Sequence, residues 1–213
     1  MPADDGAPRG RRQLSTGRME GFSDGVFGFA ITLLVVDLAL HPPGTALQQV
    51  LHAWPSFLAY LISFLTIGAG WLAHTGLTDR LARTDPIFLR LNLLLLLAVV
   101  FLPFPTRLVA DALYHPSSQR VFITLYGLTL LAIRLLGAAL DGYARREHLY
   151  SPHGDGEEPD GERHKLLPVL IGYVVAILLG LALPDLAVAL YFGIAVYAIV
   201  PFREVARLVF RRS

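Results

Sequence analysis

The stretch Arg18-Met19-Glu20-Gly21-Phe22-Ser23-Asp24-Gly25-Val26-Phe27 runs directly into Ile31-Thr32-Leu33-Leu34-Val35-Val36, and its reading decides the fold. It puts ionisable groups and a hydroxyl at the start of a strongly apolar segment, where charge is costly and needs a reason. The rest of the chain is of the same kind. Apolar residues make up 54% of the 213 residues against 16% charged, with a mean hydropathy of +0.53, a balance that a soluble domain of this length would hardly keep in solution. The composition therefore predicts an all-α integral membrane protein. The polar stretch 1–17 is expected to be a cytoplasmic tail. The apolar segment after it, studded with glycine and followed by no small-residue cleavage site, reads as a retained span rather than a cleaved signal.

A hydrocarbon core about 30 Å thick needs roughly 20 helical residues. Segments of that quality can be drawn six times, at about 19–40, 54–78, 87–113, 119–142, 166–183 and 186–202. The links carry breakers: His41-Pro42-Pro43-Gly44, Asp85-Pro86, His115-Pro116-Ser117-Ser118, the acidic 154–162 run and Pro184-Asp185. The last link is short enough to force a tight hairpin. Arg9, Arg11, Arg12 and Arg18 precede the first span, and Arg80, Arg83 and Arg90 surround the second link. Arg145, Arg146, Arg163 and Lys165 surround the fourth, and Arg203, Arg207, Arg211 and Arg212 follow the sixth. These are 15 of the 18 basic residues, so the positive-inside rule predicts six crossings with both termini in the cytoplasm. The 147–164 loop reads as a solvated acidic linker.

Several chemistries are excluded at this stage. The chain has no cysteine, hence no disulfide, thiolate metal site or cysteine nucleophile. Ser23 has no base in a suitable arrangement and no nucleophile elbow, so no catalytic residue and no enzyme is expected. His74 has no second ligand at metal spacing on its helix, and no tightly bound metal or cofactor is expected. Net charge is +1 and the basic residues form no stripe, so no nucleic-acid partner is expected.

At a rise of about 1.5 Å per residue, the sequence sets the depth of each polar side chain in its span. Span one runs outward, so Ser23 and Asp24 lie about one turn inside the membrane boundary. Span two returns, bringing Trp71 and His74 to that level, and span three starts there with Arg90 and Asn92. Two readings stand for this layer: an interfacial belt of snorkelling side chains, or an interhelical hydrogen-bond cluster in which His74, Asn92 or Arg90 satisfies a buried Asp24 and fixes span one. Arg134, alone inside span four, either pairs with a carboxylate such as Asp24 or snorkels. On a helical wheel, Phe29, Leu33, Val36 and Leu40 form a stripe extended inward by Phe22, with Thr32 and Asp37 on its flanks. Such a stripe packs on lipid or a neighbour, or lines something. Gly17, Gly21 and Gly25 form a row suited to close helix approach.

Arg18, three residues, then Phe22-Ser23-Asp24, followed by Gly25-Val26-Phe27 and Ile31-Thr32-Leu33-Leu34-Val35, resembles the signature of the transmembrane protein 175 family, potassium channels of endolysosomes and their bacterial relatives. Trp71-Leu72-Ala73-His74, Asn92-Leu93-Leu94 and Pro103-Phe104-Pro105-Thr106 are similar too. The resemblance covers the first three spans; the last three agree by hydropathy and length. It implies a channel domain at 18–205 followed by a cytoplasmic tail at 206–213. Four copies are expected to assemble as a homotetramer among membrane lipids, with the first helices lining the pore. Animal members carry the signature twice per chain, this one once. By resemblance, Phe29 occupies the innermost constriction, where the family has isoleucine or leucine, and Thr32, Leu33 and Val36 follow; the wheel reaches the same stripe independently. Asp37 is expected either at the outer mouth, concentrating cations, or as a solvated helix end. Arg18, Phe22, Ser23, Asp24, Trp71, His74 and Asn92 are expected to form the structural cluster that holds the pore helix. The implied function is passive conduction of K+, transient in the pore as the permeant ion, across a bacterial cell membrane. Proton conduction is the first rival and a secondary transporter the second, the latter weakened by the absence of internal repeats.

Overall fold

The computed structural model describes residues 16–36, 38, 45–114, 119–151 and 160–200. Asp37, Leu40, the links 41–44 and 115–118, and the arginines at 9–12 and 203–212 lie outside the described residues. Within them the regular structure is helical, joined by short links that include 79–85 and 147–151, between which Leu81 and Tyr150 form an antiparallel bridge. The helices are α1 (Thr16–Val36), α2 (Ala46–His52), α3 (Trp54–Thr78), α4 (Pro86–Phe101), α5 (Pro103–Tyr114), α6 (Gln119–Arg146), α7 (Asp160–Ala182) and α8 (Pro184–Ile199).

Six apolar segments match the six expected spans. Thr16–Val36, Trp54–Thr78, Pro86–Leu113 and Gln119–Arg146 are long and apolar enough to cross a membrane, and Leu166–Ala182 and Pro184–Ile199 are shorter apolar helices. The protein is an all-α, multi-pass membrane protein. Its helix boundaries follow from local chemistry. Asp85 caps α4, accepting from the Ile87 and Phe88 amides at 3.0 and 2.8 Å, and Pro86 takes the first position, where no N–H is needed. The third span, expected as one helix, is interrupted at Leu102. Pro103 cannot donate to the Val99 carbonyl, which accepts from the Leu102 amide at 3.2 Å instead. Thr106 N to Leu102 O, 3.1 Å, resumes the helical pattern. Leu183 alone separates α7 from α8, giving the expected hairpin. Helix α2 was not expected. The Thr45 hydroxyl accepts from the Gln48 amide while the Gln48 side chain accepts from the Thr45 amide, a capping box that starts it.

Helix α6 lies at the centre of the packing, against α4, α5 and α7, while α7 pairs with α8 and α3 packs on α1, α5 and α8. Tyr126, Tyr173 and Tyr191 are fully buried between these helices. The Tyr126 hydroxyl is satisfied by Ser63 at 2.8 Å, and Ser63 also meets Thr106 at 2.7 Å, which avoids a desolvation cost of about 1–3 kcal/mol. Tyr191 fits because residue 127 is glycine: a methyl there would overlap its hydroxyl and the Ile177 side chain. Helix α1 is different. It packs mainly on α3 and α4, at the edge of the bundle, and leaves one side uncovered.

Candidate functional site

Met19, Ser23, Phe27, Ala30 and Leu34 recur every three or four residues, so α1 has one inward face, and all five are buried. Polar groups lock this face. Asn92 of α4 donates its amide to Ser23 Oγ at 3.0 Å, and its carbonyl oxygen meets His74 Nε2 of α3 at 2.8 Å. With Asn92 so oriented, His74 donates from Nε2. The Phe27 ring tilts against His74 with centroids 5.4 Å apart. Ser23, His74 and Asn92 are all at least 96% buried, so each bond replaces water that cannot reach the site. One residue further along α1, Trp71 Nε1 donates to Asp24 Oδ1 at 2.9 Å.

Of the layer expected from depth, Ser23, Asp24, Trp71, His74 and Asn92 are brought together. The pairing differs from the expected one. Asp24 is exposed and takes the Trp71 indole, whereas the buried acceptor of Asn92 is Ser23. The reason is rotational: successive residues on a helix are separated by 100°, so only one of two neighbours can face the core. Arg18 and Phe22 are exposed on the other side of α1 and take no part in the cluster, and Arg90 is exposed as well. Arg134 does not meet Asp24; it stands beside the Tyr173 hydroxyl of α7.

The outward face of α1 carries Phe22, Phe29, Thr32, Val35 and Val36, with Phe29 59% and Val36 71% exposed. Leu33 is half-buried at the edge of this face. The Thr32 hydroxyl donates to the Phe29 carbonyl at 2.8 Å, so its proton is engaged and its lone pairs remain available. A methyl added at Gly17, Gly21, Gly25 or Gly28 would meet nothing within 4 Å. No neighbour inside the subunit demands these four glycines. The geometry therefore combines a locked inner face with an outer face of apolar side chains, one hydroxyl and small residues.

A second polar group, where α3 and α6 end, was missed by the depth argument. Asp141 accepts from Arg145 Nε at 2.8 Å and from the Tyr150 hydroxyl at 2.5 Å, with Arg80 3.9 Å away. Arg80 and Arg145 both lie against the Tyr150 ring, 5.1 and 5.7 Å from its centroid. Burial, and then the bond to Asp141, pushes the Tyr150 phenol well above its ordinary range, which keeps it a donor. The four-residue spacing of Asp141 and Arg145 was the available signal; Tyr150 and Arg80 carried none. Among the described residues no three His, Cys, Asp or Glu side chains converge as a metal site would require.

The profile of the family described as endosomal/lysosomal potassium channel TMEM175 matches residues 18–103 of this chain. A potassium channel of Streptomyces collinus is 34% identical over 200 residues, covering 90% of this chain and 97% of its own. The human endosomal/lysosomal proton channel TMEM175 is 30% identical over 158 residues, covering 68% of this chain and 30% of its own. Among solved structures, a lysosomal potassium-selective channel TMEM175 homolog from Chamaesiphon minutus superposes with a TM-score of 0.72 at 35% identity, covering 86% of this chain and 95% of that one.

Proposed function

Because this chain belongs to the TMEM175 family, we propose that it is a potassium-permeable cation channel whose pore is lined by the outward face of α1 in a homotetramer. The observation that carries this reading is the uncovered stripe of Phe29, Thr32 and Val36, with half-buried Leu33 at its edge, opposite a face that hydrogen bonds hold in place. A monomer has no use for such a stripe except contact with lipid. Four copies around an axis enclose it. The glycines on the same side of α1 support that assembly, since small residues let helices approach closely.

In the proposed tetramer, four Phe29 rings form the narrowest layer. An apolar ring gates by dewetting, while aromatic faces attract a partly dehydrated cation. The Thr32 layer offers four oxygens whose protons are turned back to the helix, so they can accept an ion's charge. Conduction is passive, with K+ only transient. By its position just after Val36 in the sequence, Asp37 is proposed to supply carboxylates at the outer mouth. The arginine distribution supports a reading in which both termini lie in the cytoplasm of a bacterial cell and the chain crosses the cell membrane six times, with 1–17 and 206–213 proposed as tails and 18–205 as the channel unit.

The test is potassium flux into proteoliposomes containing the purified protein. Flux above empty liposomes is expected, and its absence at every voltage and pH would sink the proposal. The human relative's description as a proton channel favours a second reading, in which water wires through the apolar layer carry protons. Reversal potentials under opposed K+ and proton gradients separate the two: following the potassium gradient supports the first reading, following the proton gradient the second.

A further inference from the structure

Away from α1's outer face, a half-open cavity of about 270 Å³ lies among the helices of the subunit. One wall is a stripe of α6, Arg134, Ala138, Asp141 and Arg145, which recur every three or four residues and so share a face. Helix α3 adds His74 and the link after it adds Arg80, and the walls from α4, α7 and α8 are apolar, among them Leu95, Val169 and Ala198. The charged lining is thus three guanidinium groups and one carboxylate. That carboxylate is already engaged: Asp141 is held by Arg145, Tyr150 and Arg80. Arg134 is not balanced in the same way. It sits twelve residues inside the end of α6 at Arg146, about 18 Å along the helix. The nearby polar group from the facing helix is the neutral Tyr173 hydroxyl, and among the described residues no carboxylate lies in ion-pair range of Arg134.

A guanidinium at that depth, in a half-buried position among apolar walls, is costly unless an anion accompanies it. The planar fork of arginine pairs best with two oxygens of one group, which favours an oxyanion over a halide. The volume is more than a bare oxyanion fills. We propose that this cavity is an anion site taking a phosphate-type group at Arg134, with Arg80 and Arg145 at the entrance. The phosphate is that of an anionic lipid, whose chain lies along the apolar wall, or free phosphate. Phe27 and His74, which seat α1, line the same cavity, so an occupant abuts the seating of that helix.

Two arms distinguish the sources. The intact protein is placed in nanodiscs of neutral phosphatidylcholine and titrated with inorganic phosphate, or in nanodiscs with increasing phosphatidylglycerol and no phosphate, and the unfolding midpoint is followed. Saturable protection is expected in at least one arm, and which arm responds names the source. Arg134→Gln should weaken the protection tenfold or more in that arm, while Arg90→Gln, which alters an exposed arginine outside the cavity, should leave it unchanged. Ala138→Leu fills the cavity without removing a charge and should weaken it as well, which keeps the test decisive if Arg134→Gln does not fold. Absence of saturable protection in both arms would overturn the proposal. So would protection that is the same in Ala138→Leu or Arg134→Gln as in the natural chain.

Discussion

The two faces of α1 differ in what holds them. Inward, Ser23, Phe27 and Ala30 are buried to within 1%, and Asn92 ties Ser23 of α1 to α4 and His74 of α3 to α4 by hydrogen bonds. Outward, Phe29 and Val36 are more than half exposed, and a methyl at any of four glycines would touch nothing. The same helix is finished on one side and unfinished on the other. In a membrane protein exposed apolar residues are cheap against lipid, so apolarity alone does not make the outer face a pore. The coincidence of the stripe with four sterically unneeded glycines and with the family signature gives it that role in the proposed channel.

The contrast predicts opposite phenotypes for substitutions on opposite faces. The largest effect on current is expected at the proposed narrowest layer. Phe29→Ala removes four rings from the constriction and should change single-channel conductance by tenfold or more, equivalent to about 1.4 kcal/mol of barrier. Thermal stability should hardly move. Asn92→Ala, on the locked side, removes the partner of both Ser23 and His74. A loss of about 1–2 kcal/mol is expected, above the ~0.6 kcal/mol average for a membrane hydrogen bond because two are lost together. Its unfolding midpoint should fall while ion selectivity stays the same; unchanged stability would mean that the cluster does not hold α1. The glycines sharpen the comparison further. Gly127→Ala forces a methyl into Tyr191 and should cost about 1–3 kcal/mol by overpacking. Gly25→Ala should leave the subunit's own packing intact and weaken association between copies, read by light scattering in detergent. The smallest effect is expected from Trp71→Phe, which removes one exposed bond to Asp24 and should cost at most about 1 kcal/mol in the same melting experiment.

Most of the architecture was legible from hydropathy. Long apolar runs bounded by proline and glycine place the six spans, because the lipid core imposes a length that few other constraints do. What escaped was local. The capping box at Thr45 and Gln48 starts a helix too short to show an apolar period. Pro103 splits the third span although hydropathy runs straight across it. At the polar cluster, depth brought five residues that meet, together with Arg90 that does not, into one layer but could not assign rotation, so Asp24 was expected inside where Ser23 sits. Arg80 and Tyr150 were out of reach, since their meeting depends on the Leu81 and Tyr150 bridge, a contact across 69 residues of sequence. The outer stripe was legible because it repeats with the helical period.

The absence of cysteine allows the central claim to be tested in the natural background. Single cysteines at Phe29, Thr32 and Val36, and at Ala30 on the buried face, can be exposed to a charged thiol reagent while potassium current is recorded. If the outward face lines the pore, the first three variants lose current on modification and Ala30→Cys does not. Equal insensitivity of all four, or block confined to Ala30→Cys, would contradict the account.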